Sequence, residues 1–214
     1  MTSHASRALC ALVAVKSRAQ CKSRLAGALT VTARVALVRS MLSNVLTAVG
    51  RAHCVQRVFV ISPERDVVPI GTEMIADSGT SLNAALTQAR EQLLALGYAE
   101  ALVLPADLPH LTGLEVETFV AAGRRGGFAL ASDIARQGTN ALYLPTRSPF
   151  TFRFGVDSLR LHLQEAARLG MVPQVVDLPG LAFDVDEPAD LAALTARGSE
   201  ALHGDSAWQR PARI

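Results

Sequence analysis

The chain has 214 residues, of which 50% are apolar and 19% are charged, and its formal net charge is +2. This length fits one domain with a substantial core, and the composition excludes the disordered class. The small net charge gives no argument for nucleic-acid binding, and no apolar run reaches the roughly 20 residues that span a bilayer. We therefore expect a globular protein without nucleic-acid or membrane partners.

The predicted elements alternate between strands and helices along the chain. An apolar run over 8–15 predicts a buried first strand; it is short for a signal peptide and leads straight into a basic loop. A helix capped by Thr30 or Thr32 follows and runs to about Val49. Further strands are predicted over 58–61, 70–76, 101–104, 128–132, 141–144 and 173–178. Further helices are predicted from Ser81, from Thr112 with Glu115 completing a capping box, over 156–169, and over 188–195.

This alternation predicts an α/β fold, a single-domain three-layer sandwich around a mostly parallel, mixed sheet. The domain is predicted over 1–197, and the segment 198–214, which has no periodicity, is predicted to be a flexible tail. In such sheets ligands bind outside the carboxyl ends of the strands. The candidate site is therefore formed by the segments 16–28, 77–80, 105–110, 138–140 and 183–187.

Three aspartates are candidate metal ligands. Asp107 follows a strand and lies between Pro105 and Pro109, which stiffen the backbone on both sides. Asp184 and Asp186 flank an apolar residue, so in an extended segment both carboxylates point to one side. Because Mg²⁺ prefers oxygen ligands, the three acids together indicate metal-assisted phosphoryl chemistry.

Structural roles would also explain single members of this set. Asp107 is placed to bond its own backbone in a turn. Asp186 or Glu187 would cap a helix that begins at Pro188. Helix capping accounts for one acid, but it does not account for both Asp184 and Asp186.

The main concentration of positive charge is a loop that contains Lys16, Arg18, Lys22 and Arg24. A triphosphate needs such groups to balance the negative charges that a metal leaves. A solvated surface loop would have the same composition, so the residues alone favour neither interpretation.

Several small polar segments lie at the same predicted edge. The loop 77–80, with Ser81 and Asn83, offers polar groups to an anion or a base edge, although Ser81 is also an ordinary helix cap. For 138–140 and 154–158, turn formation and capping alone explain the residue types. The five histidines show no ligand spacing, and the three cysteines lack the spacing of a disulfide framework, which predicts reduced thiols in the cytoplasm.

With these residues in place, the chain resembles the 2-phospho-L-lactate guanylyltransferase family of the CofC/FbiD type, which acts in the biosynthesis of deazaflavin coenzyme F(420). The matching stretches follow the family's order. They are 13–16, 22–25, 77–85, 105–109, 138–142, Phe154–Gly155 with Ser158, and 183–186 with Pro188 and Asp190. The wider nucleotidyltransferase superfamily has a glycine-rich loop after the first strand, but here no glycine precedes Gly27 in that loop. This departure favours the narrower family.

The resemblance implies a Rossmann-like nucleotidyltransferase fold and the transfer of GMP from GTP to a small phosphorylated acid, with release of pyrophosphate. It implies that Mg²⁺ is held by Asp107, Asp184 and Asp186. Phosphates would be met by Lys16, Lys22 and Arg24. The nucleoside would be surrounded by Asp77, Ser78, Gly79, Ser81, Asn83 and Pro105. The phospho-acid would be held by Thr139, Asn140, Gly155 and Ser158.

Two other functions remain as alternatives: a molybdopterin cytidylyl- or guanylyltransferase, and a non-catalytic nucleotide-binding domain.

Because a phosphate nucleophile is already anionic, we expect catalysis by positioning and charge neutralisation without a general base. The acid is left open among 2-phospho-L-lactate, phosphoenolpyruvate and 3-phospho-D-glycerate. The oligomeric state is also open, a homodimer included.

Overall fold

The computed structural model describes residues 8–17, 22–77 and 81–201, with 197–201 described by their backbone alone. The strands are β1 Leu9–Ala14, β2 Arg57–Ser62, β3 Met74–Ala76, β4 Glu100–Pro105, β5 Ala129–Ser132, β6 Thr139–Pro145 and β7 Gln174–Val175. The α-helices are α1 Val31–Arg51, α2 Leu82–Ala95, α3 Gly113–Gly126, α4 Ser158–Arg168, α5 Pro179–Ala182 and α6 Pro188–Ala201. Short 3₁₀ turns cover Ser23–Leu25 and Arg65–Val67.

The strands form one mixed sheet in the order β3-β2-β1-β4-β6-β5-β7. Neighbouring strands are parallel, except that β6 runs antiparallel to both β4 and β5. Since β6 runs in the opposite direction, its first residues lie at the same edge of the sheet as the carboxyl ends of β1 and β4. This reversal brings Thr139 and Asn140 to the edge at which a parallel sheet binds ligands.

Helices cover both faces of the sheet, so the predicted three-layer α/β sandwich is confirmed. Alternate residues of β1 enter two separate cores, with Val13 on one side and Leu12 on the other. The first core receives α1 and α3, for example through Leu42 and Phe119. The second receives α2, for example through Leu86.

Side-chain caps set the helix starts as the sequence indicates. The Thr30 hydroxyl accepts a hydrogen bond from the backbone N–H of Ala33 at 3.2 Å and caps α1. Thr112 and Glu115 form the predicted capping box at the start of α3. In each case the cap satisfies a backbone donor that the first helical turn leaves without a partner.

Other element bounds differ from the predictions. The strand expected over 173–178 is reduced to β7, a two-residue edge strand that pairs with β5 alone. The third strand begins at Met74, and Ile70, predicted to lie in it, is fully exposed. Apolar residue types do not reveal whether a neighbouring strand or helix is available to bury them.

The end of the described chain also differs from the prediction. The helix α5 was not expected, and α6 runs past its predicted end near Thr195 to Ala201. The tail predicted over 198–214 lies outside the described residues from 202 onward. In the described ranges, no helix is both long and apolar enough to cross a membrane. Cys10 and Cys54 are free thiols, and Cys21 lies outside the described residues.

The close contact between α3 and β6 predicts a stability effect. A Cβ atom at Gly123 would lie 2.2 Å from a ring carbon of the buried Tyr143. Gly123→Ala is therefore expected to lower the free energy of unfolding by about 2 kcal/mol, because overpacking outweighs the better helix propensity of alanine. Urea denaturation measures the change.

Gly50→Ala is the matched control, since Gly50 lies in α1, where an added Cβ atom would meet no other group within 4 Å. It is expected to raise stability by up to about 1 kcal/mol through helix propensity. Equal stability changes in the two variants would contradict the packing argument.

Candidate active site

The three predicted metal ligands lie together at the carboxyl edge of the sheet. Asp107 follows β4, whereas Asp184 and Asp186 lie between α5 and α6. Each offers a carboxylate oxygen, and these oxygens lie within 4.8 Å of one another. Phe183 and Val185 are buried in the core that α1 and α3 share. Their burial turns the alternate residues, the two aspartates, towards the cluster, as the spacing predicts.

The alternative role of Asp186 as a helix cap is not what the structure shows. At the start of α6 the Asp190 carboxylate accepts hydrogen bonds from the backbone N–H groups of Asp186 and Glu187, at 3.0 and 2.8 Å. Asp190 therefore ties the two residues before α6 to its first turn. The carboxylate of Asp186 is instead bound by the ammonium group of Lys22, at 2.8 Å.

Lys22 is the cation at the centre of this cluster. Its Nζ atom donates hydrogen bonds to both Asp107 and Asp186, and its side chain is 7% exposed. Burial alone would lower the pKa of Lys22, but the two carboxylates outweigh burial and raise it. Lys22 therefore carries its full charge between two of the three aspartates.

Asp184 lies in a different electrostatic environment. Burial, and then the charge of Asp107, raise its pKa to about 6, although a hydrogen bond from Asn140 at 3.3 Å opposes this rise. For Asp186, burial also acts to raise the pKa, but Lys22 outweighs burial and lowers it. Lys22 therefore compensates the charge of Asp186, whereas the ionised form of Asp184 has no comparable compensation from it.

A divalent cation fits this arrangement. The donors are carboxylate oxygens within reach of one ion, which is the ligand type that Mg²⁺ prefers. A cation would also relieve the repulsion that disfavours ionisation of Asp184. Asp107, Asp184 and Asp186 are therefore the residues that could hold a metal.

The local backbone aims Lys22 inward. This residue has φ 48° and ψ 46°, in the left-handed region that residues other than glycine seldom adopt, and it precedes the 3₁₀ turn Ser23–Leu25. Leu25 is fully buried and anchors that turn to the core. Strained conformations of this kind cluster at functional sites, where surrounding packing maintains them.

Lys16 and Arg24, which belong to the same loop, lie towards solvent. Lys16 is exposed, and the Arg24 side chain is 69% exposed, with a guanidinium nitrogen 3.8 Å from a Glu187 oxygen. Both are close enough to contribute to the lowered pKa of Asp186. Arg18 lies outside the described residues. Lys22 thus reaches the aspartates, and Lys16 and Arg24 lie at the mouth of the site.

The predicted nucleoside-binding residues are only partly described. Asp77 follows β3 and Pro105 ends β4, both at the site edge of the sheet, whereas Ser78 and Gly79 lie outside the described residues. The Ser81 hydroxyl caps α2 by accepting from the Ala84 N–H at 3.1 Å.

Asn83 joins α2 to the loop before α4. Its amide nitrogen donates to the Phe154 carbonyl at 3.0 Å, and its amide oxygen accepts from the Phe154 N–H at 2.8 Å. This structural clamp was not predicted, because the sequence does not show that α2 and the 154–158 segment are neighbours.

The predicted acid-binding residues lie on two elements. Thr139 and Asn140 begin β6, and both are buried. Gly155 has φ 134°, in the region that favours glycine, and the buried Ser158 is the first residue of α4. The Asn140 amide donates to Asp184 and to the Ala182 carbonyl, at 3.3 and 3.4 Å. Asn140 therefore connects β6 to the aspartate cluster.

Two histidines have roles that the sequence did not predict. His110 is half-buried and stacks on Phe183 with a ring-centroid distance of 5.1 Å. His162 is fully buried, and its Nδ1 atom lies 2.9 Å from the hydroxyl of Thr139. Its position four residues after Ser158, one helical turn along α4, was the available sequence signal.

The fold is similar to that of solved nucleotidyltransferase structures. One similar structure is a chain from Desulfovibrio desulfuricans, provisionally described as a nucleotide-diphospho-sugar transferase (TM-score 0.76, 15% identity, covering 90% of this chain and 88% of that one). Another is CMP:2-keto-3-deoxy-manno-octonic acid synthetase complexed with CTP (TM-score 0.62, 14% identity, covering 91% and 99%). At these identities the likeness concerns the fold, and the predicted Rossmann-like nucleotidyltransferase type is confirmed.

Comparison of the sequence with those of known proteins identifies the family. The family model for CofC-like guanylyl transferases matches residues 9–206. A phosphoenolpyruvate guanylyltransferase of Rubrobacter xylanophilus is 39% identical over 193 residues, covering 88% of this chain and 94% of its own. A 3-phospho-D-glycerate guanylyltransferase of Phenylobacterium zucineum is 34% identical over 199 residues, covering 88% and 89%. The chain belongs to the CofC-like guanylyl transferase family and is an enzyme of the guanylyltransferase class, as the resemblance implied.

Proposed function

We propose that this enzyme transfers GMP from GTP to the phosphate of a small phosphorylated acid, with Mg²⁺, in the biosynthesis of deazaflavin coenzyme F(420). The main support for this proposal is that Asp107, Asp184 and Asp186 cluster beside a buried lysine in a chain of this family. Phosphoenolpyruvate is the first candidate acid, because the relative at 39% identity is named for it. 3-Phospho-D-glycerate is the second, on the name of the relative at 34%.

In this proposal a phosphate oxygen of the acid attacks the α-phosphorus of GTP. The bond from that phosphorus to the bridging oxygen of the β-phosphate breaks, and its electron pair leaves with pyrophosphate. Asp107, Asp184 and Asp186 would hold Mg²⁺, which supplies charge neutralisation when bound. Lys22 would neutralise phosphate oxygens from inside the site, with Lys16 and Arg24 doing so at its mouth.

The proposed reaction needs no general base. The phosphate nucleophile is already anionic, so proton removal does not limit the attack. In agreement, both ring nitrogens of His162 are engaged within the protein, and burial lowers its pKa to about 4. The protein would therefore accelerate the reaction by aligning the two substrates and by compensating their negative charge.

The test is a matrix of nucleotides and acids. The purified chain is incubated with GTP, CTP or ATP and with each of phosphoenolpyruvate, 3-phospho-D-glycerate and 2-phospho-L-lactate, with Mg²⁺ or with a chelator. We expect pyrophosphate release with GTP and one preferred acid, a product with the mass of the guanylylated acid, and loss of turnover with the chelator. GTP binding without pyrophosphate release in any combination would contradict the proposal. A parallel series uses molybdopterin as the acceptor, and turnover in that series alone, with CTP or GTP, would favour the molybdopterin alternative.

The proposal also includes the co-substrate, the cellular compartment and the binding partners. GTP is the co-substrate, and we place the reaction in the cytoplasm, where the predicted reduced thiols would persist. Nucleic acid and membranes are not expected as partners, and a homodimer remains an open expectation.

A further inference from the structure

A buried histidine connects the two elements that carry the predicted acid-binding residues. His162 lies on α4, one helical turn after Ser158, and its Nδ1 atom contacts the hydroxyl of Thr139 on β6 at 2.9 Å. Both side chains of this contact are buried. His162 therefore fixes the start of β6 relative to the helix that begins with Ser158.

The second ring nitrogen defines the tautomer. The backbone N–H of Arg153 donates to Nε2 of His162 at 2.9 Å, so Nε2 is an acceptor and carries no proton. A neutral imidazole has one proton, and here it must be on Nδ1. The ring lies against Phe150 and Phe154, at centroid distances of 5.6 and 4.8 Å, and is fully buried. Burial away from water favours the uncharged form.

This tautomer determines what the threonine can do. Because Nδ1–H donates to Oγ1 of Thr139, that oxygen serves His162 as an acceptor. The hydroxyl proton of Thr139 is then directed to another acceptor. A hydroxyl held in this way favours a ligand group that only accepts hydrogen bonds, as phosphate and carboxylate oxygens do.

We infer that His162 is a positioning residue that makes the Thr139 hydroxyl a hydrogen-bond donor to an anionic oxygen of the phospho-acid. The inference rests on the proposed function for the identity of the ligand. It assigns no proton transfer to His162, which acts through Thr139 without touching the substrate. The affinity for the acid should therefore depend on the imidazole, whereas GTP binding and the chemical step should not.

The first measurement is the tautomer in the ligand-free protein. A long-range ¹H–¹⁵N correlation spectrum of histidine-labelled protein should show one ring as the Nδ1–H tautomer, and that signal should be absent in His162→Phe. An Nε2–H tautomer, or a charged ring at neutral pH, would overturn the inference. This spectrum does not depend on catalytic activity.

The second measurement is binding and kinetics. His162→Phe keeps a planar aromatic side chain, with a larger six-membered ring, and removes both hydrogen bonds. It should weaken phosphoenolpyruvate binding in calorimetry about tenfold, as expected for loss of one oriented bond to a charged group. The KM for the acid should rise equally, while kcat and the KM for GTP change less than twofold. His162→Asn, whose amide can still donate to Thr139, should restore part of the loss.

Two further variants separate orientation from general stability. Thr139→Val should weaken acid binding, and the double variant with His162→Phe should show no additional loss, because both changes remove one interaction. Thr146→Val is the matched control, since Thr146 is a buried threonine at the other end of β6 that donates to the Tyr98 carbonyl at 2.7 Å. It should leave acid binding unchanged.

The outcomes distinguish this inference from the proposed function. Phosphoenolpyruvate binding that falls in His162→Phe, without turnover in the wild type, would support the inference and contradict the function. If the wild type bound neither phosphoenolpyruvate nor 3-phospho-D-glycerate, the inference would be overturned. Additive losses in the double variant, or a fall in kcat with an unchanged KM for the acid, would also overturn it.

Discussion

Asp107→Asn is expected to lower kcat by about a thousandfold or more, because it would remove one of the three proposed Mg²⁺ ligands and with it several kcal/mol of charge stabilisation. The substitution keeps the size of the side chain and removes its charge. Asp107 is one of three carboxylates that share a site, and it also binds the Lys22 ammonium. Steady-state pyrophosphate release from GTP and phosphoenolpyruvate measures the loss, and Mn²⁺ titration by electron paramagnetic resonance should show weaker metal binding.

The matched control removes the charge of an exposed aspartate that is not part of this cluster. Asp177 forms an exposed ion pair with Arg136 at 2.7 Å, and each side chain is 65% exposed. Asp177→Asn should leave turnover and metal binding unchanged, since exposed pairs contribute little. The thermal midpoint of Asp107→Asn should stay near that of the wild type, because Lys22 keeps its bond to Asp186. Turnover within tenfold of the wild type would refute the metal assignment.

The central strands of the sheet were predictable because they are buried on both faces. In β1 every residue from Leu9 to Val13 is fully buried, and a continuous apolar run follows directly from this burial. The reversed direction of β6 was not predictable from residue types. Its orientation is fixed by pairing with β4 and β5, which lie far away in the sequence. The edge strand β7 was overestimated for the same reason, since its only neighbour is β5.

The candidate site was predictable where one segment carries the information. The spacing of Asp184 and Asp186, with Val185 between them, specifies that both carboxylates leave the core together. The inward direction of Lys22 was not visible, because Lys16 and Arg24 have the same residue chemistry and differ in backbone conformation and burial.

Two side-chain contacts between distant segments were missed. His162 and Thr139 are 23 residues apart, and Asn83 and Phe154 are 71 residues apart. Their hydrogen bonds depend on how α2, α4 and β6 pack, and no local pattern encodes that packing. The polar residues of this edge therefore divide into those that face a ligand site and those that hold the site together, a division that tertiary structure alone decides.

Lys22→Met is expected to have opposite effects on catalysis and on metal binding. The ammonium group bonds to Asp107 and Asp186, so a divalent cation must displace it from these oxygens or bind beside its charge. Either way Lys22 disfavours the cation, and its removal should tighten Mn²⁺ binding about tenfold in the absence of GTP, a change of about 1.4 kcal/mol and typical of a charge-assisted bond. Turnover should fall about a hundredfold or more, because phosphate oxygens lose their innermost cation.

The two effects distinguish two roles for Lys22. In one role it exchanges the aspartates for the phosphates, and in the other it organises the carboxylates for the metal. If Lys22 moves from the aspartates to the phosphates when metal and GTP bind, Lys22→Met must bind Mn²⁺ more tightly and turn over more slowly. If the lysine instead organises the carboxylates for the metal, its loss should weaken Mn²⁺ binding, and that result would contradict the exchange. Arg136→Met removes an exposed cation paired with Asp177 and should change neither quantity. Tighter metal binding with slower turnover would therefore mean that Lys22 pairs with the aspartates before the substrates bind and with the triphosphate afterwards.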